Sequence, residues 1–325
     1  GYTATSNFEG GIFSVRGWTK PYLVTYMESH DEERLMYKNL QFGNSSGSYD
    51  TRDLNTALSR MEMCAAFFLN IPGPKMIWEF GEQGYDFSIN RCSDGSINNN
   101  CRLTPKPIHW DYLQNIQRKR LYDVYTSLLK LRAHGWYKDV FIANNITLTR
   151  SLAGAFKWLT IRSALDTSML CAVGNFDVTA QTGTFTFPSA GTWYDYLNGN
   201  TFTGTGSAQN ISLQPGEFHL YLNRNPGVIT SVIDINTAGN NLLVNVYPNP
   251  VQNNSIIEMY IPENGKVKVD LWNAVGQRVT TIYSGFLTKG KHQLSFDEAA
   301  RNLPNGNYMM RVQSKNKNNT LKLLF

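Results

Sequence analysis

The 325 residues are 42% hydrophobic and 13% aromatic, with a net charge of +5 and only 17% charged residues. That is enough apolar material to core two or three domains. The charge reads as thinly spread, without a basic run interleaved with aromatics, which excludes the usual footprint of a nucleic-acid binder, and no apolar stretch approaches the ~20 residues of a membrane-spanning helix.

The sequence begins at Gly1, with no charged segment leading into an apolar one. The start is therefore expected to be a processed end or an internal point of a longer chain. Residues 1–138 alternate between strand and helix signals. Tyr22-Leu23-Val24-Thr25-Tyr26-Met27 is a continuous apolar and aromatic run, the pattern of a parallel strand buried on both faces. It runs into Ser29-His30-Asp31. After a polar loop over 44–49, Leu54, Ala57, Leu58, Met61, Ala65 and Phe68 recur at helical spacing, and Pro72-Gly73-Pro74 stops that helix. Met76-Ile77-Trp78-Glu79-Phe80 predicts a second strand. The next loop holds Cys92 and Cys101, which predict a disulfide in an exported protein and two free thiols otherwise. No second Cys/His pair lies near enough in sequence for zinc. A further helix is expected over 114–133, ending at Gly135. Cys64, in a helical stretch, and Cys171, in a strand, read as buried core thiols. Strand, helix, strand, helix implies a parallel sheet with right-handed crossovers, and two such units cannot close a barrel.

Over 139–225 the period changes to two, as in Phe156-Lys157-Trp158-Leu159-Thr160-Ile161 and Phe218-His219-Leu220-Tyr221, with turn signals between. An antiparallel β-sandwich is expected there. Residues 226–241 read as a linker. Residues 242–325 alternate again, with room for about seven short strands in a small immunoglobulin-like sandwich.

The chemistry gathers at the strand ends. His30 and Asp31, followed by Glu32, Glu33 and Arg34, close the first predicted strand, and Gly81-Glu82 closes the second. Active sites of α/β barrels lie at the C-terminal ends of their strands. Taken bare, the acidic run reads equally as a solvated loop.

Residues 15–223 resemble glycoside hydrolase family thirteen, the α-amylase family. The resemblance rests on Leu23 to Asp31, on Asn70-Ile71-Pro72-Gly73-Pro74 through Gly81-Glu82, on Pro105-Lys106-Pro107-Ile108-His109-Trp110, and on Gly191-Thr192-Trp193-Tyr194-Asp195-Tyr196. It implies a multidomain chain: the C-terminal portion of a (β/α)8 TIM barrel over 1–138, with strands seven and eight and their helices, then the family's C-terminal antiparallel β-sandwich over 139–225. By that resemblance Asp31 orients the sugar and stabilises the oxocarbenium-like transition state, His30 binds hydroxyls of the same sugar, and Glu82 and Arg34 are structural near the site. Retaining hydrolysis also needs a nucleophilic carboxylate and a proton donor about 5 Å apart. In this family they come from the fourth and fifth strands. Residues 1–18 hold Glu9 but no Arg-x-Asp pattern, so both are expected outside this chain, which alone would be inactive. Family calcium sites also lie mostly upstream, so no metal and no cofactor are assigned here.

Tyr247-Pro248-Asn249-Pro250, Gly276-Gln277-Arg278-Val279, Leu303-Pro304-Asn305-Gly306-Asn307-Tyr308 and the ending Lys322-Leu323-Leu324-Phe325 resemble the type A C-terminal sorting domain of the type IX secretion system of Bacteroidetes. The resemblance implies export through the periplasm and outer membrane to the surface or the medium. The implied partners are an α-glucan such as starch and the translocon and shuttle components. Two other readings remain open: a non-catalytic export cargo and a glucan-binding protein. A starch-binding module at 242–325 would want more exposed aromatics than Trp272 and a few tyrosines. Edge strands near the terminus are candidates for strand addition by a partner.

Overall fold

The computed structural model describes residues 6–143, 145–165, 167–226, 242–247, 251, 255–296, 303–315 and 317–325. The linker expected over 226–241 lies, apart from Pro226, outside the described residues. Two compact units divide the chain, residues 1–232 and residues 233–325.

After two short 3-10 turns, Glu9–Gly11 and Phe13–Arg16, the first unit has helix α1 (Leu35–Phe42), a two-residue ladder of β1 (Ser45–Ser46) and β2 (Tyr49–Asp50), and helix α2 (Leu54–Asn70). Asp53 caps α2, its carboxylate accepting the Thr56 N–H at 2.9 Å. Ala57, Leu58, Met61 and Ala65 are buried along one side of the helix. They meet Leu121, Val124 and Leu128 of α3 (Ile116–Ala133) in one core. Across that contact Arg120 of α3 grips Glu62 of α2 with Nε at 2.8 and 2.9 Å from the two carboxylate oxygens. A short α4 (Lys138–Ile142) completes the helical part.

The two predicted strands do not form. Residues 22–27 make one isolated parallel bridge, Thr25 with Lys75 just before the 76–80 segment, through Thr25 N–H to the Pro74 carbonyl (3.2 Å) and Met76 N–H to the Thr25 carbonyl (2.9 Å). An apolar run becomes an interior parallel strand only where hydrogen-bonding neighbours flank it on both sides. Here Tyr22, Val24 and Tyr26 are 62%, 55% and 48% exposed. No closed barrel is present among the described residues.

The chain then builds antiparallel sheets. Strands β3 (Ile146–Ser151), β4 (Phe156–Ser163), β5 (Met169–Asn175), β6 (Gln181–Thr186), β7 (Ala190–Asp195), β8 (Thr201–Thr205), β9 (Ala208–Leu213) and β10 (Phe218–Leu222) follow in order. Six of them pair as β3-β4-β5-β10-β7-β8, and β6 pairs with β9. One face of the six-stranded sheet, through Leu159, Ile161, Leu170 and Leu220, shares the core of α2 and α3. The other, through Cys171, Val173 and Tyr221, packs on Phe185 and Ile211 of the β6-β9 pair and on Phe187. That is why all of β5 is buried. Cys171 is thus a core thiol, while Cys64 of α2 is only half-buried.

The second unit has seven strands among the described residues: β11 (Leu243–Tyr247), β12 (Ile256–Ile261), β13 (Gly265–Asn273), β14 (Arg278–Leu287), β15 (Gly290–Ser295), β16 (Asn307–Ser314) and β17 (Lys317–Leu324). They form two antiparallel sheets, β11-β12-β15 and β14-β13-β16-β17. Alternate residues face one another across the core, including Ile257, Met259, Val267, Val269, Leu271, Met310 and Val312. The C-terminus is pinned: Phe325 exchanges both backbone hydrogen bonds with Gly306 at 3.0 Å, and its ring stands 5.0 Å from that of Tyr308.

Candidate functional site

One buried ion pair sets the loop that follows residues 22–27. Glu28 is buried, and burial pushes its carboxyl above the usual range. A buried carboxylate is costly without a partner. Arg34 supplies one, its Nη1 lying 3.0 Å from Glu28 Oε1 with the guanidinium side chain 2% exposed. The other Glu28 oxygen accepts the Leu35 N–H at 2.8 Å, at the start of α1, where the helix dipole favours negative charge. Arg34 also donates to the Glu79 carbonyl at 3.0 Å and lies over the rings of Tyr85 (4.8 Å) and Trp78 (5.7 Å).

The segment 76–81 closes against this pair. A Cβ on Gly81 would stand 2.9 Å from Glu28 Oε1, so glycine here spares the carboxylate a shift away from Arg34. Phe80 before it takes φ +57°, a conformation non-glycine residues seldom adopt. Contacts of its ring with Tyr85 (5.9 Å) and Trp110 (4.9 Å) hold it there.

On this base His30 and Asp31 project into solvent, with side chains 63% and 68% exposed and His30 Nε2 3.4 Å from Asp31 Oδ2. The His30 ring centroid is 5.7 Å from that of Trp78. The Asp31 N–H donates to Ser29 Oγ at 3.1 Å, and the Ser29 hydroxyl donates to Glu32. Glu33 ties the loop to its neighbour, accepting from Ser88 Oγ (2.6 Å) and the Ile89 N–H (2.9 Å). Arg102 reaches in from the other side, donating to the Asp31 carbonyl and standing 3.6 Å from its carboxylate. Arg102 directly follows Cys101, which is disulfide-bonded to Cys92 with a Cα separation of 5.0 Å.

An imidazole and a carboxylate side by side, open to solvent on a rigid floor, can accept and donate hydrogen bonds to neighbouring hydroxyls. The carboxylate also offers negative charge to a centre that becomes positive. Glu82 stands apart: it lies in the short turn Gly81–Gln83, accepts from Gln83 Nε2 at 3.2 Å, and has no hydrogen bond to His30 or Asp31 among the described residues. Arg34 lies beneath the loop, not at its surface. Sequence reasoning missed Glu28 and Arg102 as supports. Glu28 had a weak signal, a carboxylate directly after an apolar run, whereas Arg102 is 71 residues from Asp31 and had none.

A second titratable cluster sits on the antiparallel sheet. His219 Nδ1 is 2.7 Å from Asp195 Oδ2, and its Nε2 is 3.1 Å from Glu217 Oε1. Burial pulls the imidazole pKa down, but its hydrogen bonds to the two carboxylates outweigh it and raise the pKa to about 9. The charged ring clamps β10 to the end of β7. Among the described residues no group of three His, Cys, Asp or Glu side chains gathers to hold a metal ion, and no helix is long and apolar enough to cross a membrane.

Residues 245–325 match the secretion system C-terminal sorting domain family. No curated protein matches the sequence. Among solved structures, an AmyP variant in complex with maltotriose aligns with a TM-score of 0.47 at 16% identity, over 63% of this chain and 41% of its own. Pullulanase from Bacillus acidopullulyticus aligns at 0.45 and 19% identity, over 69% of this chain and 28% of its own. An Anoxybacillus alpha-amylase aligns at 0.41 and 13% identity, over 62% and 38%. The chain therefore spans less than half the length of each of these proteins.

Proposed function

We propose that this chain, whose residues 245–325 are a sorting domain of the type IX secretion system, supplies the His-Asp segment of an α-amylase-type glycoside hydrolase that acts on α-glucans outside the cell. The sorting domain marks it for export to the surface or the medium. The hydrolase reading is carried by one observation: His30 and Asp31 stand together and exposed on a floor fixed by the buried Glu28–Arg34 pair. The parallel bridge of Thr25 with Lys75 supports it, because it sends Glu28-Ser29-His30-Asp31 and Gly81-Glu82 out at the same end of two adjacent segments. On this reading residues 22–27 and 76–80 are the segments that pair as strands seven and eight of a (β/α)8 barrel only where the remaining strands flank them, 139–225 is the β-sandwich that follows it, and 242–325 is an immunoglobulin-like module.

Asp31 then lies against the sugar at the scissile bond. It holds two hydroxyls and offsets the positive charge of the oxocarbenium-like transition state, while His30 binds a hydroxyl of the same ring. The nucleophile and the proton donor are not among these 325 residues, and the chain alone releases no reducing sugar from starch. The test is hydrolysis of starch by the protein that joins this chain to the remaining barrel strands. Asp31→Asn should lower kcat by about 10²–10³-fold, the scale of losing one group aimed at transition-state charge. A variant as fast as the parent ends the reading.

A further inference from the structure

The net charge of +5 is not spread along the chain. Residues 1–300 hold equal numbers of basic and acidic side chains. Residues 301–325 hold Arg301, Arg311, Lys315, Lys317 and Lys322 and no Asp or Glu, so the whole excess lies there.

The register of the second unit places two of these five, Arg311 and Lys322, on one surface with three cations from earlier in the chain. In the sheet β14-β13-β16-β17, Val267, Val269, Leu271, Met310, Val312 and Leu323 face the core, so their alternates face out. Across the strands, Lys268 pairs with Gln313, Asp270 with Arg311, and Trp272 with Met309. Met309 in turn pairs with Lys322, and Trp272 with Arg278 on the other side. Lys266, Lys268, Arg278, Arg311 and Lys322 therefore share the outer face. Against them the outer face carries one carboxylate among the described residues, Asp270. It is already held by Lys268 Nζ at 2.8 Å and Arg278 Nη1 at 3.8 Å. A face with this excess of one sign carries a positive potential that attracts a surface of opposite sign. Near one end of the face, between Arg278 and Met309, lies half-buried Trp272, whose buried Nε1 has no hydrogen-bond partner among the described residues.

We propose that this outer face is the surface by which the module docks on an acidic protein surface of the secretion machinery. A protein occupant fits better than a lipid surface: Phe286, 64% exposed, stands beside Lys266 at one end of the face and Met309 and Leu324 at the other, and between them the cations are interleaved with the polar side chains Ser284, Gln313, Asn318 and Thr320. Trp272 and the arginines are the residue types that anchor protein interfaces, and opposed charge sets approach and register. The inference rests on the export role of 245–325 and is independent of the hydrolase reading.

The test is export of the full chain from a bacterium with a type IX system, read as the ratio of secreted to periplasmic protein. Lys266→Glu/Arg311→Glu/Lys322→Glu should lower that ratio at least tenfold, and the glutamine versions of the same three changes should lower it severalfold. The charge-keeping set Lys266→Arg/Arg311→Lys/Lys322→Arg should leave it unchanged, as should Lys289→Glu, outside this sheet. Export of both triple variants at the parent's level overturns the proposal. So does retention of the charge-keeping set, which would make the effect one of folding. Phosphatidylglycerol vesicles that bind the chain and release it on charge reversal would assign the face to a membrane and overturn it too. A chain lacking 245–325 that is still exported would instead remove the export role itself.

Discussion

Arg34 Nη1 lies 3.0 Å from Glu28 Oε1, and both side chains are buried beneath the loop that presents His30 and Asp31. The pair explains how two exposed polar residues can have fixed positions: their backbone is tied to a floor, not to each other. Arg34→Met should leave the Glu28 carboxylate buried without a partner and destabilise the first unit by about 3–5 kcal/mol. Urea unfolding followed by circular dichroism would measure it. The double variant Glu28→Leu/Arg34→Met should recover most of the loss, since it removes the stranded charge.

The disulfide acts on the same loop from outside. Cys92 and Cys101 are nine residues apart, and closing so short a loop contributes about 2–3 kcal/mol by restricting the unfolded chain. Arg102, next to Cys101, contacts Asp31. Cys92→Ser/Cys101→Ser should therefore speed proteolysis between residues 92 and 106 and also release Arg102 from Asp31. Limited trypsin digestion with and without reductant checks the first effect, cleavage after Arg102 being the diagnostic band.

His219 gives a pH signature. Its folded pKa of about 9 lies above the ordinary 6.5. A base whose pKa rises on folding contributes stability that is fully present below pH 6.5 and is lost as pH climbs through about 9. The melting temperature of the parent minus that of His219→Gln should be positive at pH 6 and near zero at pH 10. Taking the difference cancels the titration of groups that do not touch His219; Asp195 and Glu217, which do, are carboxylates, a class that titrates well below this window. At full strength the contribution is about 3 kcal/mol before screening of the partly open ring. A difference that does not change with pH contradicts the clamp.

The two compact units should melt separately. Leu271 is fully buried in the core of the second. Leu271→Ala should destabilise that unit by about 2–5 kcal/mol and leave the transition of the first unmoved, as calorimetry would resolve.

Where local pattern and burial agree, the elements were legible. Helices α2 and α3 follow their apolar spacing, and the strands β4, β10, β13 and β16 fall where the sequence reads as period two, although only β16 is buried on strictly alternate residues. The strands expected over 22–27 and 76–80 failed because an apolar run reports hydrophobicity, while a parallel strand depends on neighbours it cannot name. Helix α1 was missed because its eight residues mix apolar and polar types without a clear stripe. The motif Ser29-His30-Asp31 was visible, but its floor was not: Glu28 and Arg34 meet through a loop, and Arg102 arrives from far along the chain. His219 and Asp195 come together only through the pairing of β10 with β7, which alternation does not specify. The concentration of charge in 301–325 was readable from the sequence and was overlooked because the total is small.

The most direct measurement of the central claim is starch-degrading activity in the cell-free medium of a type IX-competent bacterium. It should be expressing the protein that joins this chain to the remaining barrel strands, with and without residues 245–325. Activity should appear in the medium with the sorting domain and stay within the cells without it, and Asp31→Asn should lower it by about 10²–10³-fold in whichever fraction holds it. Equal activity in the medium with and without 245–325, or full activity in the Asp31→Asn protein, would contradict the claim.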